Sequence, residues 1–219
     1  MSRDAVVLII QLNNREVDRG FMDGDRANLR VYREANVLSA QVLRELDDWV
    51  SGERGEPGGV WVSKGQRTVS HAFRRAEIRF LRAGEPLADR LLAILLGVAT
   101  RAVRYLADPG VEGKLLTADV LQHSIYGPDG GHYAWHTDTG KRPDLPLHVK
   151  QRRLTMCVSV RASTHGGLLE LEGIGPIEPA IGGVVAFQSS LRHRVTPVMD
   201  GERHSLTTWY SARDGNPQE

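Results

Sequence analysis

The 219-residue chain has one cysteine, almost no excess of either charge and no long apolar run. A single cysteine, Cys157, cannot form an intramolecular disulfide, which fits a reducing compartment, and we predict a cytoplasmic location. Because it lies in the apolar run 156–158, we expect a buried hydrophobe without a catalytic role. The net charge of +1 gives no global electrostatic reason to expect nucleic acid or an anionic membrane as a partner. The longest apolar stretch, 91–99, is too short to cross a bilayer, so we expect a soluble protein.

The length predicts a single domain over 1–219, since domains cluster near about 100–200 residues. Apolar residues at intervals of three and four predict helices over 36–49 and 85–106, with a stop at 108–110. Short strands are predicted at 6–12, 60–62 and 76–80. After residue 113, short β-branched and apolar segments separated by Gly, Pro and Asp predict further strands at 115–126, 133–136, 153–160, 167–171, 177–179, 184–188, 193–198 and 205–211.

Eight short strands in about a hundred residues are typical of a jelly roll. The sequence therefore predicts a mainly β protein with bracing helices (α+β), whose core is a double-stranded β-helix, or jelly roll. In this interpretation the helices and strands of residues 1–112 brace a catalytic core formed by residues 113–212.

His136 and Asp138 lie two residues apart, so both side chains project to the same side of an extended segment. A third ligand is expected from a neighbouring strand, and His193 stands at the start of the segment 193–198. Two histidines and one carboxylate form a facial triad that leaves three positions open on a metal ion, which suits iron(II) oxygenases. The His-x-Asp pair alone is weak evidence, because many strands carry such a pair by chance.

Arg203 lies ten residues after His193, and Arg203, Ser205, Thr207 and Trp209 alternate along one predicted strand. All four therefore face the same side. The planar guanidinium group of arginine donates two parallel charge-assisted hydrogen bonds and can bind a carboxylate, and Ser205 could add a third from its hydroxyl group. The alternative is a surface salt bridge on an edge strand. The register of Arg203 with His193 favours the carboxylate-binding interpretation.

The segment from about 122 to 210 resembles the catalytic domain of the prolyl 4-hydroxylase-like branch of iron(II)/2-oxoglutarate dioxygenases. Seven ordered elements carry the resemblance: 122–127, 133–138, 153–155, 166–171, 179–187, 193–198 and 201–209. It implies that the iron ligands are His136, Asp138 and His193. It also implies that Arg203 binds the distal carboxylate of 2-oxoglutarate, that Tyr126 lies beside this co-substrate, and that Thr207 and Trp209 line the same pocket.

One position departs from the family pattern. Ser159 stands where several relatives have a tyrosine that helps the arginine to hold the carboxylate, so the second carboxylate contact is open, with Ser205 or Thr155 as candidates. Asp138 keeps the carboxylate that related halogenases lack, which favours hydroxylation over halogenation.

The resemblance implies an enzyme that hydroxylates an unactivated C–H bond of an amino-acid, peptidyl or natural-product substrate. The reaction would couple this step to decarboxylation of 2-oxoglutarate to succinate and CO2. It would require Fe(II), 2-oxoglutarate and O2, and stimulation by ascorbate is compatible with it. The sequence does not identify the primary substrate, and it leaves the oligomeric state open.

Two other functions are open. A cupin-like metal-binding jelly roll or isomerase would carry a metal without redox chemistry, but the register of Arg203 argues against it. A nucleic-acid demethylase typically has a second arginine six residues after the first, where this chain has Trp209, and the net charge is near zero. Neither nucleic acid nor a membrane is therefore an expected partner.

The remaining cations and histidines are given lesser roles. The arginine-rich strand 74–79 could meet a substrate carboxylate, or it could be a solvated surface. We expect His123 and His132 to lie behind the metal ligands or on the surface. The remaining histidines are expected to be solvated: His71, His148, His165 and His204.

Overall fold

The computed structural model describes residues 10–11, 30–52, 55–61, 66–108, 111, 114–177 and 179–213. Its helices are α1 (Ala40–Gly52), α2 (Pro86–Leu106) and α3 (Leu147–Lys150). Its strands are β1 (Ile10–Gln11), β2 (Tyr32–Glu34), β3 (Glu56–Pro57), β4 (Gly59–Trp61), β5 (Arg67–Val69), β6 (Arg74–Arg75), β7 (Glu77–Leu81), β8 (Leu115–Ala118), β9 (Leu121–Tyr126), β10 (His132–His136), β11 (Arg152–Arg161), β12 (His165–Gly166), β13 (Leu169–Leu171), β14 (Gly175–Ile177), β15 (Val184–Gln188), β16 (His193–Val195), β17 (Val198–Asp200) and β18 (Arg203–Arg213).

Two antiparallel sheets form the predicted jelly roll, and the fold class is confirmed. The larger sheet has the strand order β2-β15-β11-β18-β9-β7-β3, with β8 paired to β18 and β1 paired to β8. The smaller sheet has the order β14-β13-β16-β10-β6. A buried cluster joins the two sheets, since Phe187 and Cys157 of the larger sheet pack with Leu169 and Leu171 of the smaller one.

Alternation along the central strands divides the larger sheet into two faces. Leu154, Met156 and Val158 of β11 pack with α1 and α2 in the main hydrophobic core, while Cys157 points to the cluster between the sheets. The same parity on β18 puts Leu206 and Tyr210 against the helices. The odd-numbered residues of β18 are therefore left to face the space between the two sheets.

The helix predicted over 85–106 is confirmed as α2, while the helix predicted over 36–49 begins only at Ala40. The later start has two local causes. Asn36 adopts a positive φ of 56°, and the Ser39 hydroxyl group accepts a hydrogen bond of 3.3 Å from the Val42 amide, which makes Ser39 the N-cap. Among the described residues, no helix is long and apolar enough to span a membrane.

Two predicted strands are interrupted. The segment 115–126 divides into β8 and β9 because the Asp119 amide leaves the ladder and donates to the Trp209 carbonyl oxygen at 2.7 Å. The segment 193–198 divides at Pro197, which has no N–H group to donate, and β17 then pairs with β12 instead. Only residues 10–11 of the strand predicted at 6–12 lie within the described residues, and there they form β1. Residues 109–110, predicted as the helix stop, lie outside them.

Candidate metal centre

His136 and His193 face each other across two antiparallel strands. They are direct register partners on β10 and β16, and their ring centroids lie 4.2 Å apart. Asp138 follows two residues after His136, and its backbone amide is held by the Ser189 carbonyl oxygen at 2.9 Å. The Asp138 carboxylate lies 3.7 Å from His136 Nε2 and 3.3 Å from His193 Nε2. One ligand atom from each of the three residues therefore lies within 4.8 Å of the others.

Both imidazole rings are oriented by backbone hydrogen bonds. His136 Nδ1–H donates to the Ala134 carbonyl oxygen at 2.8 Å, and His193 Nδ1–H donates to the Leu191 carbonyl oxygen at 2.9 Å. A neutral ring in this tautomer carries its lone pair on Nε2, and the Nε2 atom of each histidine faces Asp138. This is the orientation that a pair of metal-binding histidines needs.

Burial and mutual charge set the protonation of the three groups. Burial, followed by the charge of His193, lowers the pKa of His136 to about 3, so this ring is neutral at pH 7. Burial opposes ionisation of Asp138, but the charge and hydrogen bond of His193 outweigh it and lower the pKa of the carboxyl group. Burial also opposes protonation of His193, but the charge and hydrogen bond of Asp138 outweigh burial and raise the pKa of His193. The site thus provides an ionised carboxylate beside two imidazoles, as a divalent cation requires.

Thr155 fixes the carboxylate of Asp138. This fully buried side chain of β11 donates from Oγ1 to Asp138 Oδ2 at 2.8 Å and lies 3.0 Å from the Ser189 hydroxyl group. A hydrogen bond to an ionised acceptor is short and about twice as strong as a neutral one. Thr155 therefore restricts the rotation of the carboxylate that faces the two imidazoles. Thr155 contacts Asp138, whereas Ser205 contacts Arg203, and the choice between these two residues for the second carboxylate contact stays a prediction.

Aromatic rings enclose the two histidines. Tyr133 stacks on His136 with ring centroids 3.5 Å apart and planes 19° apart, and Phe187 meets His193 edge to face at 4.8 Å. Burial raises the pKa of Tyr133 to about 12, which keeps its hydroxyl group protonated. These rings exclude water from one side of the site and fix both imidazole planes.

Arg203 is buried on β18, an internal strand of the larger sheet, so the alternative of a surface salt bridge on an edge strand is wrong. Its guanidinium group donates to Ser205 Oγ at 2.9 Å and lies over the Tyr126 ring at 5.3 Å. Among the described residues no carboxylate forms an ion pair with it. Gly167, at φ 69°, lets the chain pass close by, since a Cβ atom there would lie 3.3 Å from Arg203 Cδ and 2.8 Å from Val198 Cγ2.

One cavity between the sheets brings together all the site residues that the sequence predicted: Tyr126, His136, Asp138, His193, Arg203, Ser205, Thr207 and Trp209. Sequence reasoning missed Tyr133 and Cys157, which also line it, and it named Arg74 only as part of the strand 74–79. Alternation could have found Cys157, since it shares a face of β11 with Thr155. It is buried as expected, 3.9 Å from Thr207 Oγ1.

The other histidines lie outside this cavity. His71, His148 and His165 are exposed as expected, whereas His204 is buried, so the prediction that it is solvated is wrong. His204 packs edge to face against the fully buried His123 with ring centroids 5.3 Å apart, because even-numbered residues of β18 face the helices. His132 is held by the carbonyl oxygens of Gly130 and Ala72.

A wider cavity of about 460 Å³ opens beside the site. Asp138, Arg74, Tyr133, Gln122 and Trp209 line both cavities. The wider cavity is bordered further by side chains of β5, β7, β11 and the turn before β9: Arg67, Phe80, Arg152, Asp119 and Val120. A molecule in this cavity would therefore lie next to Asp138, one of the three candidate ligands.

Comparison with known proteins shows what this chain is similar to. Residues 121–211 match the family model described as the 2OG-Fe(II) oxygenase superfamily. This match covers the segment in which the motifs were found, and together with the relatives below it confirms the resemblance to iron(II)/2-oxoglutarate oxygenases of the prolyl 4-hydroxylase-like branch.

Among curated proteins, a PKHD-type hydroxylase of Paraburkholderia xenovorans is 27% identical over 196 residues, covering 80% of this chain and 75% of the relative. A PKHD-type hydroxylase of Shewanella baltica is 26% identical over 180 residues, with the same coverage. Both relatives are named as hydroxylases, and the family model that matches this chain is that of the 2OG-Fe(II) oxygenases.

Solved structures show the same fold. A prolyl-4-hydroxylase of Pseudomonas putida superposes with a TM-score of 0.61 at 23% identity, over 86% of this chain and 96% of that one. A prolyl hydroxylase of Trichoplax adhaerens, in complex with a hypoxia inducible factor peptide fragment, superposes with a TM-score of 0.64 at 16% identity, over 84% of each chain.

Proposed function

We propose that this chain is an Fe(II)/2-oxoglutarate-dependent dioxygenase that hydroxylates an unactivated C–H bond. One observation carries the proposal: two imidazole Nε2 atoms and a carboxylate converge within 4.8 Å beside Arg203, a buried arginine with no carboxylate partner among the described residues. The first group is a cation site and the second is an anion site. A metal chelated by a keto diacid would satisfy both at once.

The residues present fit iron(II). His136, Asp138 and His193 would hold it, since their donor atoms are turned toward one point, and three donors on one face leave coordination positions for other ligands. When bound, iron supplies the oxidising chemistry that, with O2 and 2-oxoglutarate, yields a hydroxylated product, succinate and CO2. Thr155 keeps the carboxylate in place throughout, and Tyr133 and Phe187 keep water from the imidazoles.

The residues around Arg203 fit 2-oxoglutarate. The guanidinium group would bind the distal carboxylate, with Ser205 donating a further hydrogen bond in place of the missing tyrosine at Ser159. Tyr126 would pack beside the chain of the diacid, and Thr207 and Trp209 would complete the pocket wall. Binding at both ends fixes the orientation of the keto group toward the metal.

We propose an amino-acid, peptidyl or natural-product substrate for the wider cavity, in line with relatives that include a prolyl hydroxylase bound to a peptide. We also propose that residues 1–112 and 113–212 form one domain, because α1 and α2 share a continuous hydrophobic core with β11, β15 and β18. Stimulation by ascorbate and a cytoplasmic location stay predictions.

The proposal is tested by succinate formation from 2-oxoglutarate with iron(II). His193→Ala should abolish it, because two protein ligands do not hold the ion in the required geometry, whereas His165→Ala, at an exposed histidine, should not change it. Full turnover by His193→Ala would contradict the assignment of these three residues as the metal ligands. A wild-type protein that binds metal but forms no succinate would instead support the cupin-like alternative.

Arg203→Ala tests the co-substrate site separately. Loss of a desolvated charge-assisted pair commonly costs on the order of 2–5 kcal/mol, so the 2-oxoglutarate requirement should rise by about 30-fold or more. Arg82→Ala, at an exposed arginine, is the control. An unaltered apparent affinity for 2-oxoglutarate in Arg203→Ala would contradict the assignment.

A further inference from the structure

Arg74 is a second buried arginine at the site. Its side chain is 5% exposed, and it lies at the start of β6, where it is the register partner of Tyr133 on β10. Its guanidinium carbon lies 4.6 Å from the centroid of the Tyr133 ring, which in turn stacks on His136. The Tyr133 ring therefore lies between the Arg74 guanidinium group and His136. Arg74 itself lies in the wall shared by the inner and the wider cavity.

Among the described residues, the polar contacts of Arg74 include no carboxylate. One nitrogen, Nη2, donates to Ser124 Oγ at 3.2 Å, a neutral hydroxyl group that also accepts from Gln122 Nε2 at 2.9 Å. Its Nε atom is buried and has no hydrogen-bond partner among the described residues. A charge taken out of water without a partner costs several kcal/mol. A group absent from the described chain is therefore expected to complete its hydrogen bonds.

The neighbouring arginines of the same segment are different. Arg75 forms an ion pair with Asp129 at 3.5 Å, and Arg79 forms one with Glu77 at 2.5 Å. The sequence pointed to the whole strand 74–79 as a possible contact for a substrate carboxylate. The structure restricts this possibility to Arg74, which no described carboxylate pairs and which alone of the three lines the wider cavity.

The charges of the side chains around the wider cavity also point to Arg74 as the substrate contact. Arg152 is paired with Asp119 at 2.5 Å and Arg67 with Glu56 at 3.2 Å, so each pair is neutral. On the proposed function, the two charges of iron(II), one of Asp138, two of 2-oxoglutarate and one of Arg203 also sum to zero. Among the described residues that line this cavity, one positive charge, that of Arg74, is then left for the primary substrate to neutralise.

We propose that Arg74 binds a carboxylate group of the primary substrate, which makes that substrate a small carboxylic acid such as a free amino acid rather than an internal residue of a peptide. This inference rests on the proposed function for the fate of the substrate. Two parallel N–H donors of a guanidinium group match a carboxylate, and the stack on Tyr133 holds the plane of Arg74 fixed. The bound acid would lie in the wider cavity beside Asp138.

Binding is tested without any turnover by saturation-transfer NMR. The probes are a pool of the common L-amino acids and, separately, a pool of their primary amides, added to protein supplied with zinc(II) and 2-oxoglutarate, which cannot react with oxygen. Wild-type protein should give signals from members of the acid pool and not from their amides. Arg74→Gln should lose these signals, and Arg75→Gln, the adjacent and exposed arginine, should keep them.

Turnover is tested with iron(II), 2-oxoglutarate and O2 by mass spectrometry for a gain of one oxygen atom. Oxidised products should come from free acids, with kcat/KM reduced at least about 30-fold in Arg74→Gln and less in Arg74→Lys, which keeps the charge but not the planar fork. Circular dichroism of each variant checks folding.

Several results would overturn the inference: no acid in the pool binds, the amides bind as well as the acids, the acid signal survives Arg74→Gln, or peptides are oxidised only at internal residues. Succinate formation by wild-type protein distinguishes a failure of the proposed function from a failure of the inference about Arg74. If it fails, the proposed function is wrong. If it succeeds while the acids neither bind nor react, only the role of Arg74 is wrong.

Discussion

The hydroxyl group of Thr155 offers a sharp test of how the site is held together. We predict that Thr155→Val, which replaces the hydroxyl group with a methyl group of similar size, weakens both the fold and the metal site. The variant leaves the Asp138 carboxylate, whose side chain is 9% exposed, without its 2.8 Å hydrogen bond from the fully buried Thr155. Hydrogen bonds to charged groups are worth about 1.5–3 kcal/mol, so the free energy of unfolding of the metal-free protein should fall by about that amount.

The metal affinity should fall as well. Loss of a group that orients a metal ligand typically costs about 10–100-fold in affinity. At saturating metal, this loss would reduce the stabilisation that metal adds to the fold by roughly 1.4–2.7 kcal/mol. Urea unfolding with and without iron(II) or zinc(II), together with a competition titration against a metal chelator, measures both effects.

Thr208→Val is the matched control. Thr208 is also buried, and it lies opposite Met156 on the neighbouring strand, but its hydroxyl group has no hydrogen-bond partner among the described residues. Removal of an unsatisfied buried hydroxyl group should leave the stability unchanged or raise it. If Thr155→Val matched the wild type in stability and metal affinity, or if both variants lost stability equally, the proposed positioning role would be refuted.

Two further predictions concern the backbone and a buried histidine. Gly167→Ala should lower the free energy of unfolding by about 1–3 kcal/mol and weaken 2-oxoglutarate binding, because it adds a Cβ atom at positive φ against packed neighbours. The control is Gly130→Ala, at φ 83° with open space around it, which should show only the smaller conformational cost. Equal losses of stability in both variants would contradict the packing argument. Burial, and then the charge of His204, lowers the pKa of His123 to about 3 from its usual 6.5, so below pH 6.5 the unfolded chain binds a proton that the folded chain does not. Acidification from pH 6.5 toward 3 should therefore cost up to about 1.4 kcal/mol of stability per pH unit from this residue. Denaturation curves recorded over this pH range should show that the stability of His123→Phe falls less steeply with pH. Identical slopes of stability against pH in variant and wild type would show that His123 is not the cause.

Most of the site residues could be predicted from their local spacing in the sequence. The separation of His136 from Asp138 and the alternation of Arg203, Ser205 and Thr207 follow from the two-residue repeat of an extended chain, which any strand has wherever it lies in the fold. The same kind of argument gave α2 to within one residue, because its apolar stripe repeats at the helical period. The sequence alone thus determined which side chains share a face and where the two long helices lie.

Strand neighbours were decided only by the tertiary structure. Thr155 lies 17 residues from Asp138, and Arg74 lies 50 residues from Ser124, so no local period relates either pair. The burial of His204 likewise depends on which face of the larger sheet the helices cover.

These facts depend on long-range pairing, in which the energy of a contact is gained only after the intervening chain has been ordered. The chemistry of the candidate metal ligands was therefore encoded over a few residues. The hydrogen bonds that hold them, and the buried cation beside them, formed only when distant strands were brought side by side.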